Sequence, residues 1–368
     1  MSEDKSFNFG AGPAKLPREV LREVQKEMLS YGGKSMSLME MSHRSAEYLK
    51  INNDAQQAIR DLLNVPNNYR ILFLQGGGSG LFAAVAMNLL GITGEADYLV
   101  TGTWSSKAAK EAEKYGKVNL IFPKTEKYQD IPHPSTWKLN PNASYVYYCA
   151  NETVDGVEFQ YIPPTNNVPL VADMSSNIMT RALDVSKFGC IFGGAQKNIG
   201  PSGTTVVIVR DDLIGSAMKI CPTIWNFALQ AKDKSVLNTP ATFPVYVMEK
   251  VFQWIKRNGG VEAMERQAIE KSTLLYNTIE DSNDFYVCPV KPNARSRMNV
   301  PFRVGGPNGD DNLEKQFIKE AEQLEMYQLQ GHRSVGGIRA SLYNAVTLFD
   351  VQTLVNFMKD FQNRYSKH

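Results

Sequence analysis

Three features of the 368-residue sequence predict an α/β fold built on a mostly parallel sheet. Between about 70 and 210, seven short apolar runs alternate with turns and helical stretches. The runs are β-branched or aromatic and bounded by Gly, Pro or Asn, and several are apolar on both faces, as strands covered by helices on each side must be. Outside this block the apolar residues recur at helical spacing.

The strand candidates are ILFLQ (71–75), DYLVT (97–101), VNLIF (118–122), YVYYC (145–149), PLVAD (169–173), CIFGG (190–194) and TTVVIVR (204–210). With helices between them they form a seven-stranded sheet between two helical layers. Before this block, residues 17–33 predict a helix with Pro17 in its first turn and a stop at Gly32, placing Val20, Leu21, Val24, Met28 and Leu29 on one stripe. At the other end, Thr347 and Asp350 form a capping-box pattern ahead of Val351, Leu354, Val355, Met358 and Phe361. Between them FYVCPV, MNVPFRV and GGIRASLYN suggest a small sheet carrying helices. The length calls for two domains: a large one over 17–255, and a smaller α+β one made of 1–16 and 256–368.

Composition excludes several classes. Forty basic against thirty-eight acidic side chains leave a net charge of +2, which argues against nucleic acid or an anionic membrane as the main partner. The N-terminus MSEDKSFNFG is polar and lacks a signal-peptide core, and the longest apolar stretch, GLFAAVAMNLL (80–90), is short of the roughly 20 residues that span a bilayer. Four scattered cysteines (Cys149, Cys190, Cys221, Cys288) and four histidines offer no disulfide framework or metal site. A reduced, cytoplasmic enzyme is expected.

LFLQGGGSGLFAAVAMNLLG (72–91) reads as strand, glycine cluster and helix. Gly76, Gly77 and Gly78 allow backbone turns whose N–H groups converge on an anion, Ser79 can cap the helix, and Gly91 ends it. No lysine follows, as a P-loop requires. Gly78, Gly80 and Ala83 fit a dinucleotide fingerprint weakly, and the acidic residue that should end the next strand is missing. A tight turn with no ligand stays open on this stretch alone.

Asp173 closes an apolar strand, where ligands sit in open α/β sheets, and Lys197 lies in a glycine-flanked loop between two strands. Alone, that lysine could be structural or anion-binding. Together with the glycine turn the two supply what pyridoxal phosphate needs: an amine for a Schiff base, an acid that keeps the ring nitrogen protonated, and a phosphate cradle. Trp104, just after a strand, could stack on the ring, although spacing alone favours ordinary core packing.

The segments NFGAGPAKLP (8–17), EMSHRS (40–45), LQGGGSGLF (74–82), YVYYCANETVDGVEF (145–159), DMSSN (173–177), GAQKNIGPSG (194–203) and GHRSVGGIRASLYNA (331–345) together resemble the phosphoserine aminotransferases, a family of fold-type I, class V pyridoxal-phosphate enzymes. The resemblance runs nearly end to end. It implies that Lys197 carries the cofactor and moves the substrate proton, that Asp173 pairs with the ring nitrogen, that Trp104 stacks, and that Thr153 contacts the hydroxyl side. Gly78, Ser79 and Gln196 would hold the phosphate. Asn238 and Thr239 would reach it from a neighbouring subunit, so a homodimer with shared sites is implied. One departure is Ser79, where many bacterial members carry arginine.

The histidines add to this reading. His43-Arg44-Ser45 and His332-Arg333-Ser334 repeat one tripeptide, and Arg339 follows six residues after Arg333. Phosphohydroxypyruvate and phosphoserine each carry a carboxylate and a phosphate. Arg339 suits the carboxylate as a bidentate fork, as in the family, and His43, Arg44, His332 and Arg333 would clamp the phosphate. Glutamate would use the same cluster as amino donor and leave as 2-oxoglutarate. A serine–glyoxylate or serine–pyruvate transaminase is the alternative within the fold; it has no need of two His-Arg pairs.

Overall fold

The strands of the computed structural model, which describes residues 6–366, run in chain order β1 (Phe7–Asn8), β2 (Tyr69–Leu74), β3 (Glu95–Leu99), β4 (Lys117–Leu120), β5 (Val146–Cys149), β6 (Leu170–Asp173), β7 (Cys190–Gly194), β8 (Thr205–Arg210), β9 (Tyr286–Val287), β10 (Asn299–Val304), β11 (Met326–Tyr327) and β12 (Ile338–Ser341). The seven runs read from the sequence are β2 to β8, and they form one sheet in the order β2-β8-β7-β6-β5-β3-β4. Only β8 runs against its neighbours, pairing antiparallel with β2 and β7.

Side chains alternate across this sheet as a period of two demands. Ile71, Phe73, Tyr148, Ala172, Ile191 and Ile208 pack on one face against helices Ala46–Leu62 and Thr242–Arg257. Leu72, Leu74, Tyr147, Val171, Phe192 and Val207 pack on the other, against helices Gly77–Leu89 and Thr103–Ala112. Burial on both faces is why these strands read as continuous apolar runs.

β9, β10 and β12 form a three-stranded antiparallel sheet, and β1 pairs with β11. A separate apolar cluster joins Phe9 to Leu275, Phe302, Phe317, Ile338, Leu354 and Phe361. The C-terminal helix Leu348–Tyr365 starts as expected: Thr347 Oγ1 accepts from Asp350 N at 3.1 Å and Asp350 Oδ2 accepts from Thr347 N at 2.9 Å. All five of its expected core residues are buried.

The first helix differs from expectation. It spans Arg18–Glu27 and buries Val20 and Val24, while Leu21 is 46% and Leu29 83% exposed. Its C-cap is Met28 and a 3₁₀ turn over Tyr31–Gly33 follows, so Leu29 lies beyond the stripe. The first five residues of segment 1–16 and residues 367 and 368 lie outside the described residues. Among the described residues no helix is long and apolar enough to cross a membrane, and no cluster of His, Cys, Asp or Glu is arranged to hold a metal ion.

Candidate active site

The carboxyl ends of β2, β3, β5, β6 and β7 open on one edge of the sheet, where the segments that follow them enclose a cavity of about 290 Å³. Gly78, Ser79, Trp104, Thr153, Asp173, Gln196, Lys197, His332 and Arg339 all line it. Asp173 ends a strand of the large sheet and six others follow such strands, while His332 and Arg339 come from the small-sheet side.

Lys197 sits in the loop between β7 and β8, which β-pairing of Gly194 with Thr205 closes at its base. Its Nζ donates to Thr153 Oγ1 at 2.6 Å and lies 5.8 Å from the centre of the Trp104 ring. Burial lowers its pKa from 10.5, only partly offset by the Asp173 carboxylate, so the amine gives up its proton more readily than a surface lysine. Gly12 crosses close by: a Cβ there would lie 3.1 Å from Lys197 Cγ, and its φ of +129° already disfavours a side chain.

Asp173 ends β6 and is fully buried, which raises its pKa despite its bonds. Oδ1 accepts both Ser175 N at 2.9 Å and Ser175 Oγ at 2.6 Å. The orientation is therefore fixed, and Oδ2 is left for a group in the cavity.

The glycine turn corrects one expectation. Gly76, at φ +120°, is the N-cap, and Gly77 and Gly78 already belong to helix Gly77–Leu89. Ser79 lies inside the first turn and does not cap it. No side chain caps this end, so its N–H groups stay available to an anion, reinforced by the helix dipole. Gly91 lies within a 3₁₀ turn over Leu90–Ile92 rather than closing the helix directly.

Arg339 faces the cavity because β12 alternates: Ile338 and Ala340 enter the apolar cluster, and Arg339 points the other way. Its Nη1 donates to Thr153 O at 3.2 Å, while Nε is buried without a partner. At His332, Nδ1 accepts from Ser334 N at 3.3 Å, which leaves the neutral ring's proton on Nε2. Burial, then Arg339 and Lys107, lower its pKa from 6.5.

The remaining expected residues stand apart from this cavity. Arg333 is exposed in the same loop as His332. His43 and Arg44 precede helix Ala46–Leu62, where Ser45 Oγ caps by accepting from Tyr48 N at 3.3 Å. Asn238 bonds to Gln75 Oε1 at 3.0 Å, and Thr239 is exposed. Sequence reasoning missed Ser175, although a serine two residues after a strand-ending aspartate is a legible pattern. It also missed Gly12 and Glu152.

Pyridoxal phosphate suits what is present. The orphaned Nε of Arg339 and Nε1 of Trp104, the free Oδ2 of Asp173 and the uncapped glycine helix all await polar partners, and the volume is near the ~300 Å³ lower end of small-molecule pockets. A desolvated amine, a buried carboxylate and an uncapped glycine turn on one sheet edge are the groups that a pyridoxal-phosphate enzyme needs. The model of the class-V aminotransferases matches residues 6–354, and the phosphoserine aminotransferase of Drosophila melanogaster is 62% identical over 96% of this chain and 98% of its own. That of Ectopseudomonas mendocina is 52% identical over 98% and 99%. Among solved structures, the phosphoserine aminotransferase of Bacillus circulans subsp. alkalophilus superposes with a TM-score of 0.94 at 42% identity, over 98% of this chain and 99% of that one. The pyridoxal-phosphate-bound enzyme of Trichomonas vaginalis gives 0.93 at 40%, over 96% and 100%. The chain belongs to the phosphoserine aminotransferase family of class-V aminotransferases.

Proposed function

We propose that the protein reversibly transfers the amino group of L-glutamate to 3-phosphohydroxypyruvate, giving 2-oxoglutarate and O-phospho-L-serine in serine biosynthesis. The observation that carries this reading is the pairing of Lys197 and Asp173 in the cavity with Arg339 and His332, cationic and hydrogen-bonding groups suited to a doubly anionic substrate.

When bound, pyridoxal phosphate supplies an electron sink for the charge left at the substrate Cα. Lys197 Nζ, its pKa lowered by burial, would take up the proton of the substrate Cα and hand it back. Thr153 Oγ1 holds that amine in place, and Asp173, its carboxylate oriented by Ser175, would pair with the ring nitrogen of the cofactor. Gly78, Ser79 and Gln196 would hold the cofactor phosphate, and Trp104 would cover the ring. Arg339 takes the substrate carboxylate as a fork, and His332 donates from Nε2 to the substrate phosphate.

The protein acts as a cytoplasmic homodimer in this reading. Support comes from His43, Arg44, Asn238 and Thr239, which lie outside their own cavity and would complete the partner's. Arg333, exposed in the same loop as His332, is assigned to the phosphate clamp in this reading. The chain then divides into a large unit over 17–255 and a small one from 1–16 and 256–368, with the N-terminal strand β1 paired into the latter.

Borohydride reduction followed by peptide mass mapping tests the centre of the proposal: the pyridoxyl adduct is expected on the GAQKNIG peptide. An adduct elsewhere, or none, overturns it. Substrate choice is tested by Arg44→Ala and Arg333→Ala. Intact phosphoserine turnover in both would favour a transaminase of small unphosphorylated substrates.

A further inference from the structure

The loop after β5 carries two carboxylates that the mechanism above does not use, Glu152 buried and Asp155 half-buried. Glu152 Oε2 accepts from Trp104 N and Oε1 from Ser105 N, both at 2.8 Å, and Asp155 Oδ2 accepts from Thr103 N at 2.7 Å. Three successive N–H groups at the amino end of helix Thr103–Ala112 are thus satisfied by two side chains from about fifty residues away. Few helices need two carboxylates here; one hydroxyl or carboxylate cap is the usual arrangement. The contact is too close to be incidental: a Cβ at Gly102 would lie 2.3 Å from Glu152 Cδ. Burial raises both carboxyls above the ordinary range, and the Asp155 charge raises Glu152 further, so holding them together costs free energy that an apolar packing would not.

The clamped turn bears the Trp104 ring, which lies over Lys197 and lines the cavity. Thr153, the hydrogen-bond partner of the lysine, directly follows Glu152 and lies between the two acids in the same loop. Asp155 also faces Arg339 and His332 electrostatically.

We propose that Glu152, with Asp155, is a positioning residue that locks the Trp104 turn to the Thr153 loop and so fixes the ring that covers the cofactor. This rests on the reading of the cavity as the pyridoxal-phosphate site. Glu152→Gln keeps shape but sets an amide NH₂ against a backbone N–H, losing one of two charge-assisted bonds.

A double-mutant cycle reads the role directly. Cofactor affinity and the visible circular dichroism of bound pyridoxal phosphate are measured for wild type, E152Q, W104F and the double variant, with melting of each apoprotein alongside. Roughly tenfold weaker cofactor binding and a reduced visible signal are expected for E152Q, but no further loss when W104F is already present. Additive losses in the double variant overturn the inference, as does E152Q that melts lower yet binds like wild type. If E152Q does not accumulate folded, the Asp155 pair carries the same cycle: D155A should weaken binding through Trp104, and D155N, which keeps an acceptor for Thr103 N, should restore it. Equal behaviour of D155A and D155N refutes the clamp. A wild type that binds no pyridoxal phosphate would instead refute the cofactor site itself.

Discussion

Asp173→Asn is the most informative single change, because cofactor binding and apoprotein stability should move in opposite directions. The asparagine Oδ1 can keep both Ser175 bonds, at 2.9 and 2.6 Å, so the side chain stays in place and only the charge is lost. What disappears is one charge-assisted bond from Oδ2 to the ring nitrogen, worth about 1.5–3 kcal/mol, or roughly 10- to 150-fold in affinity. In the apoprotein the sign reverses. Burial holds the native carboxyl above its ordinary 3.8, so between that value and its raised pKa the folded chain binds a proton that the unfolded chain has lost. Stability therefore falls as pH rises through that window, and above it the wild type carries the cost of a buried charge. Asparagine removes the cost, so the apo variant is expected to melt at or above the wild-type temperature at neutral pH. Titration of apoprotein with pyridoxal phosphate, followed by visible absorbance, measures the first effect, and calorimetry with and without cofactor the second. A variant that binds as tightly as wild type would falsify the assignment of Oδ2. One that binds weakly because the apoprotein is destabilised would show that the aspartate is structural.

Other changes follow from the same geometry. Arg339→Lys retains charge but loses the fork, and KM for both glutamate and phosphohydroxypyruvate is expected to rise about 10- to 100-fold in steady-state assays, with a smaller change in kcat. Gly12→Ala forces a side chain at φ +129° and 3.1 Å from Lys197 Cγ; a loss of about 1–3 kcal/mol should appear as a lower melting temperature with faster cofactor release. For Lys197, cofactor capture by the apoprotein should accelerate with pH and level off below 10.5, the point at which an exposed lysine would do so. Between the depressed pKa and 10.5 the unfolded chain binds one more proton than the folded one, so apoprotein stability should rise with pH across that interval and not in Lys197→Met.

Much of this was legible before the fold was seen, for a physical reason. β2 to β8 are covered on both faces, so burial wrote itself into the composition of each run, and strand ends are where an open α/β sheet binds ligands. Asp173 and Lys197 are legible only together with the glycine turn, because neither position by itself distinguishes a cofactor group from a structural one. Ser79 misled because serine before an apolar helix usually caps it, whereas here the glycines enter the helix first and the cap is Gly76 at φ +120°. Glu152 was invisible because it serves backbone N–H groups 47 and 48 residues earlier, and no local spacing records such a contact. His43, Arg44, Asn238 and Thr239 carried a chemical signal without an address: residue type says what a side chain can bind, not which cavity it will face.

The place of β8 in the sheet bears on how the molecule is made. Among the described residues β2, next to the glycine turn, has β8 as its only strand partner, and Tyr69 pairs with Arg210 across 141 residues of chain. During synthesis the N-terminal edge of the sheet must wait for that late strand, since loop closure over such a distance precedes any reward from pairing. The turn that follows β2 and the loop that carries Lys197 thus come together in one of the last events of sheet assembly. Yellow colour in a refolding chain should lag behind helix formation and coincide with the closing of the sheet.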